Sequence, residues 1–302
     1  MFEDTSPHQS AFLTVNGVKL QYLDWGGKGE TLLFLPGLGD SAHVFDDIAP
    51  EFTKHFRVLG LTRRGQGQSD IPETNYDTAI LTEDIHQFLK QLDIERVTLI
   101  GHSLAGNEMT YFARRHPQQV DRLIYFDANY DPTDSDLVGD GLPVPYPEFE
   151  PGQSVAAYRQ WLRKNLYHDH WSSALEANLH YTLNIAEDGT FTDQTPDHVA
   201  HALRKGVIPP DYSSIQASTL VFAPIKDYYP GIEDHDEATQ IRVQTWVNEV
   251  AIPVQQKAIK RLQKRFPQAQ IIVLIGVGIT HYFFIDRQAE VVQKMYQFLK
   301  EH

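Results

Sequence analysis

Cysteine is missing from all 302 residues. That excludes disulfides, zinc–thiolate sites and thiol nucleophiles, and it agrees with a reducing compartment. Positive charge is in short supply too: 26 Lys and Arg stand against 40 Asp and Glu, a net charge of −14. A surface of that sign repels phosphate backbones and anionic lipids, so neither nucleic acid nor a membrane surface is an expected partner. Long apolar runs are absent as well. The stretch IIVLIGVGI, 271–279, falls well short of the roughly 20 residues that cross a bilayer. The opening MFEDTSPHQSAFLTV has no basic n-region and no apolar h-region, so no secretory signal is expected. There are no internal repeats and no low-complexity tracts. The expectation is a cytoplasmic protein that works on a small molecule, with a homo-oligomer left open.

What is present is an ordinary globular balance, 41% hydrophobic and 22% charged, enough apolar mass for a sizeable core. Two β-like segments come first, with Asn16-Gly17 as a hairpin turn between them. Short apolar runs follow at 31–35, 57–61, 97–100, 122–126, 218–223 and 270–275. Between them lie stretches with helical spacing, at 42–54, 78–92, 104–116, about 236–265 with a bend near Pro253, and 286–300. Apolar strands that alternate with amphipathic helices predict a mostly parallel sheet covered on both faces. The rhythm breaks from Asp131 to Ser214, where proline is dense (132, 143, 145, 147, 151) and aromatic-rich helical stretches follow. Residues 131–214 read as an inserted, mainly helical cap, and residues 1–130 and 215–302 as one core domain.

One stretch carries chemistry, RVTLIGHSLAGNEM at 96–109. Ser103 lies just beyond an apolar strand and just before a helix, between the small residues Gly101 and Ala105. A serine hydroxyl is a weak nucleophile that needs an adjacent base, an acid to orient that base, and exposure on a tight turn. Taken alone, Gly-x-Ser-x-Ala fits either such a nucleophile or an ordinary glycine-rich bend.

With its context the chain resembles the α/β-hydrolase fold family, from about Phe12 to the last helix. GHSLAG resembles the family's nucleophile elbow and LPGLGDSAHVF its oxyanion loop. LTRRGQGQSD is similar to the loop after the fourth strand, with Thr62 where Asp is usual; TLVFAPIKD resembles the acid strand and GITHYFF the histidine loop. All five stand in the family's order, at the ends of predicted strands, where open α/β sheets bind ligands. The resemblance implies Ser103 as nucleophile, His281 as base and Asp227 as acid. Pro224 replaces the Gly usual before that acid, and Asp127, after the strand RLIYF, is the alternative. Backbone N–H groups of Leu104 and Leu38 are the implied oxyanion donors.

The other polar clusters have plainer readings. HDH at 168–170 and EDHDE at 233–237 have no compact metal-ligand spacing, and no metal is expected. Arg63-Arg64 reads as a salt-bridging pair rather than a carboxylate binder. GQGQ lacks the surroundings of a dinucleotide fingerprint, and no cofactor is implied. The cap aromatics either line an acyl pocket or form the cap's own core; His102, Tyr158 and Trp161 are the candidate pocket residues. The expected reaction is hydrolysis of a small, uncharged carboxylic ester. Cleavage of carbon–carbon bonds, lactones or amides and perhydrolysis by the same triad are the alternatives, as is a receptor-like protein with slow turnover. A dehalogenase or epoxide hydrolase is disfavoured, because such relatives carry Asp at the elbow.

Overall fold

The Asn16-Gly17 turn joins β1 (Gln9–Val15) to β2 (Val18–Gly26), with both residues at positive φ, 50° and 77°, as a two-residue hairpin demands. The structure is a computed structural model that describes residues 4–128, 143–150 and 152–301. After the hairpin come β3 (Thr31–Leu35), β4 (Arg57–Leu61), α1 (Thr78–Gln91), β5 (Val97–His102), α2 (Ala105–Arg115) and β6 (Val120–Phe126). Next are α3 (Val155–Asn165), α4 (Ser173–Thr182), a small hairpin β7 (Leu183–Ile185) and β8 (Phe191–Asp193), and α5 (Asp197–Lys205). The chain then runs through β9 (Ser218–Pro224), α6 (Glu237–Trp246), α7 (Ile252–Arg265), β10 (Gln270–Leu274), α8 (Phe283–Asp286) and α9 (Gln288–Glu301).

The described residues form an eight-stranded sheet in the order β1-β2-β4-β3-β5-β6-β9-β10. From β4 to β10 every neighbouring pair is parallel, and the first hairpin adds two antiparallel strands at one edge. The central strands are mostly apolar because both faces are covered. On β6, Leu123 and Tyr125 join one core cluster, while Ile124 and Phe126 join the other. The same alternation splits β3 into Leu33 and Leu35 against Leu32 and Phe34. α1 is started by Asp77, whose carboxylate accepts from the N–H groups of Ala79 and Ile80.

Two expected helices come out differently. The segment at 42–54 forms two 3-10 turns, Ala42–Phe45 and Ala49–Phe52, because Pro50 has no N–H to continue a helix. In the long helical region, a π-helical turn, Val247–Ala251, separates α6 from α7 immediately before Pro253. Pro253 cannot donate to the preceding turn, and the wider turn absorbs the break.

Between β6 and β9, α4 and α5 pack on the loops beyond the C-terminal ends of the strands and on Leu104. Asn178 of α4 accepts from the N–H and hydroxyl of Ser41 (2.9 Å each) and donates to Asp40 at 3.0 Å. Val199 and Leu203 of α5 pack with Tyr76, Leu81 and Leu104. The boundary expected at residue 131 lies outside the described residues, as do Pro132 and Pro151.

Candidate active site

β5 and β6 run in register, with His102 opposite Phe126, so the residues just beyond them leave the sheet side by side. Those residues are Ser103 and Asp127, and both have positive φ, 53° and 45°. This conformation is sterically costly for a side-chain-bearing residue, and such strain gathers at functional sites. Backbone hydrogen bonds hold each turn in place. Ser103 N–H donates to Phe126 O and Asp127 N–H to Phe222 O, both at 3.1 Å. The turn at Ser103 also depends on Gly106, the first-turn glycine of α2. A Cβ there would lie 1.8 Å from the carbonyl oxygen of Ala128, so only glycine lets α2 start against the end of β6. The Gly-x-Ser-x-Ala pattern is therefore closed by a glycine one position further on.

His281 reaches the site from the loop after β10. Its Nδ1 lies 2.6 Å from Asp127 Oδ2, and Lys226 Nζ lies 2.7 Å from the same oxygen. Burial alone would raise the Asp127 carboxyl, but Lys226 and His281 outweigh it and hold it well below the ordinary carboxylate range. An ionised carboxylate can only accept, so the imidazole proton sits on Nδ1 and leaves Nε2 as the basic nitrogen.

The structure thus corrects the expected acid. Asp227 does not meet His281; its Oδ1 accepts from the N–H of Gly278, at 3.1 Å, three residues before the histidine. β9 ends at Pro224, and beyond it Lys226 and Asp227 diverge, the first toward Asp127 and the second toward the histidine loop.

The neighbouring loop is braced from below. Arg63 donates to the carbonyls of Pro36 and Gly37 at 2.8 and 2.9 Å, and Gln66 to those of Gly37 and Asp40 at 3.0 and 2.7 Å. With these carbonyls engaged, the peptides around Leu38 are held in one orientation. Arg63 in turn pairs with buried Glu108 of α2, at 2.8 Å, which ties the loop after β3 to the helix that follows Ser103. Arg64 pairs with Asp84 through two hydrogen bonds of 2.6 and 2.7 Å, so both arginines serve the scaffold. A cavity of about 450 Å³ brings together Ser103, His281, Asp127, Leu38 and Leu104.

The three candidate pocket residues do not line this cavity. His102 is fully buried behind the histidine loop. Its Nε2 donates to the carbonyl of His281 at 3.2 Å, and its ring lies 4.3 Å from the ring of His281. Burial first, and His281 second, keep His102 neutral by pushing its pKa well below the usual value. Tyr158 and Trp161 stack on each other, and Tyr158 also stacks on Phe191, so these rings form the core of the inserted segment.

Asp40, in the oxyanion loop, is an unusual buried acid. It accepts from Asn178 and from Tyr282 Oη at 3.1 Å, yet burial raises its pKa to about 6 despite those bonds. The unfolded carboxyl ionises near 3.8. The folded state therefore holds the extra proton between about 4 and 6, and this stabilisation is lost as pH rises through 6. At about 1.4 kcal/mol per tenfold change in proton affinity, it is worth roughly 3 kcal/mol. Asp40→Asn should gain stability relative to wild type as pH rises from 4.5 to 8. Urea midpoints that stay parallel across that range would contradict this.

Among the described residues, Asp4, His8, His43 and Asp46 have ligand-type atoms within 4.8 Å of one another, a group the sequence reading missed because two local pairs, 4 with 8 and 43 with 46, meet only in the fold. Hydrogen bonds account for it. Asp46 accepts from His8 and His43 (2.9 Å each) and from Trp25 Nε1 (2.8 Å), which fastens the leader to the loop beyond β3. The HDH and EDHDE stretches form no such group among the described residues.

A mostly parallel sheet with a strained serine turn after β5, a histidine after the last strand and helices between β6 and β9 has the α/β-hydrolase architecture. A family model described as alpha/beta hydrolase fold matches residues 30–168. A non-heme chloroperoxidase of Streptomyces lividans is 30% identical, in a match that covers 71% of this chain and 89% of that protein. This chain belongs to the α/β-hydrolase fold family. An uncharacterised Mycobacterium tuberculosis protein is 36% identical over 125 residues, 41% of this chain, and the match spans only 36% of that relative's length. Among solved structures, E-2-(acetamidomethylene)succinate hydrolase superposes with a TM-score of 0.73 at 18% identity, over 97% of this chain and 99% of that one. No helix among the described residues is long and apolar enough to cross a membrane.

Proposed function

We propose that this chain is a serine hydrolase that cleaves a carboxylic acid derivative, an ester above all, through an acyl-enzyme. The observation that carries this reading is the convergence of Ser103, His281 and Asp127 on one cavity, with His281 hydrogen-bonded to Asp127. In this reading Ser103 Oγ attacks the carbonyl carbon and His281 Nε2 takes its proton. The N–H groups of Leu38 and Leu104 face the oxyanion, and the second has the support of the α2 N-terminus. The C–O bond then breaks and the alcohol departs with the proton from His281. Water, deprotonated by the same nitrogen, attacks the acyl carbon and releases the acid and free Ser103.

The chloroperoxidase relative favours a second reading of the same site. Hydrogen peroxide in place of water would release a peracid from the acyl-enzyme, and the peracid would be the oxidant. The test is a series of p-nitrophenyl esters from acetyl to dodecanoyl, assayed with and without peroxide. Turnover with a chain-length optimum is expected. A folded protein inert toward every ester, and equally inert toward amides and lactones, would remove the hydrolase reading.

A further inference from the structure

Asp40 is a buried acid that the proposed reaction does not use. It does not line the cavity, yet its carboxylate joins elements that do. Oδ2 accepts from Tyr282 Oη at 3.1 Å, and Tyr282 is the residue after His281. Oδ1 accepts from Asn178 of α4 at 3.0 Å. Asp40 itself stands two positions after Leu38, and its carbonyl is taken by Gln66 at 2.7 Å. One carboxylate thus fastens the loop after β3 both to the histidine loop and to α4. Tyr282 is a firm anchor, because its ring packs on that of His102, with 4.9 Å between centroids, and edge-on against that of Tyr167, with 4.8 Å.

This link is costly. Burial outweighs the two hydrogen bonds and the nearby His281 and Arg63, so the Asp40 carboxyl is held above its ordinary range. His102 Nδ1, buried and without a hydrogen-bond partner, lies 3.9 Å from Asp40 Oδ2. With the His102 proton on Nε2, donated to the carbonyl of His281, that Nδ1 turns a lone pair toward a carboxylate. An uncharged residue of the same shape would avoid the charge at this point. Buried acids kept at such a cost collect at functional sites.

Resting on the serine hydrolase reading above, we infer that Asp40 is a positioning residue of the reaction: bonded to Tyr282, it fixes the Leu38 peptide against His281. The oxyanion donor must lie about 3 Å from the developing charge while His281 faces Ser103, and a displacement of about 1 Å in such a constellation costs roughly a hundredfold in rate. Chain connectivity does not set that spacing, because Leu38 and His281 lie near opposite ends of the chain. Arg63 and Gln66 brace the loop after β3 from its own side of the sheet's end, through backbone carbonyls. The bond from Asp40 to Tyr282 links that loop to the histidine loop directly.

The test measures kcat and KM for the best ester of the series, together with urea midpoints, at pH 8 in Asp40→Asn, Tyr282→Phe and the double variant. Asp40→Asn should lose roughly tenfold or more in kcat, with KM within about twofold of wild type. Its urea midpoint should be no lower than that of wild type, because the buried charge is gone. Tyr282→Phe should lose a similar factor, and the double variant little more than either, since both substitutions break one link. A near-normal kcat in folded Asp40→Asn overturns the inference, as do losses that multiply in the double variant. So does a loss of kcat that follows the urea midpoint downward, the result a purely structural role predicts. If wild type turns over no ester, the rate at which a fluorophosphonate labels Ser103 replaces kcat. Slower labelling in both single variants then supports the inference and equal labelling overturns it, while a wild type that is not labelled removes the hydrolase reading and the inference with it.

Discussion

Ser103→Ala should reduce ester turnover by roughly 10⁴-fold or more, and His281→Ala should reduce it nearly as far, with the double variant little worse than either. The reason is that nucleophile and base act as one unit. An unactivated hydroxyl is a poor nucleophile at neutral pH, and an imidazole with nothing to deprotonate contributes little. Ser103→Ala leaves the Ser103 N–H to Phe126 O bond and the start of α2 intact, so its stability should match wild type. The decisive measurement is kcat/KM for the best ester of the series, with circular dichroism to confirm folding. Substantial activity in folded His281→Ala would rule out His281 as the base.

Asp127→Asn should cost roughly 10⁴-fold in kcat, whereas Asp227→Asn should stay within about tenfold of wild type. Asparagine at 127 keeps the size of the side chain but lacks the negative charge. It can present its amide nitrogen to His281 Nδ1, which favours the wrong tautomer, and it leaves Lys226 facing a neutral group. At 227, asparagine keeps the oxygen that accepts from Gly278, so the histidine loop stays anchored. Asp227→Ala removes that anchor and should raise KM and lower kcat modestly. Acid sensitivity separates the two sites further. The Asp127 carboxyl lies well below the ordinary range, so its support of His281 persists through mildly acidic pH and fails only as pH falls toward that depressed value. If Asp227→Asn were the crippled enzyme and Asp127→Asn the near-normal one, the assignment of the acid would be reversed.

The parts of this site that follow from chain order were readable without coordinates. Ser103 is bracketed by small residues at a strand-to-helix junction, and His281 sits between the last apolar run and the last helix. These are local properties, and the structure places both residues on the same cavity. The acid was not readable in this way, because two strands end in suitable carboxylates and the choice depends on which side chain turns toward the histidine. Asp127 had one latent signal, its position directly after RLIYF on the strand beside the serine's own. The cap aromatics had two readings, and stacking among Tyr158, Trp161 and Phe191 separates them. The helix expected at 42–54 failed through a single proline, Pro50, set against otherwise helical spacing.

With the histidine's partner at the end of β6, the serine and the carboxylate are set by adjacent strands, 24 positions apart and both upstream of the inserted segment. On the proposed reading, the stretch after β9 then has no catalytic acid to preserve. It can accept Pro224 where the resemblance leads one to expect glycine, and it supplies Lys226 to the Asp127 carboxylate. On that reading two kinds of change are separated: the stretch between β6 and β9 can vary with the substrate while the bond-breaking geometry stays at the ends of β5 and β6. An engineer seeking altered selectivity would accordingly vary the residues between β6 and β9 and leave the two central strand ends, with Lys226, alone.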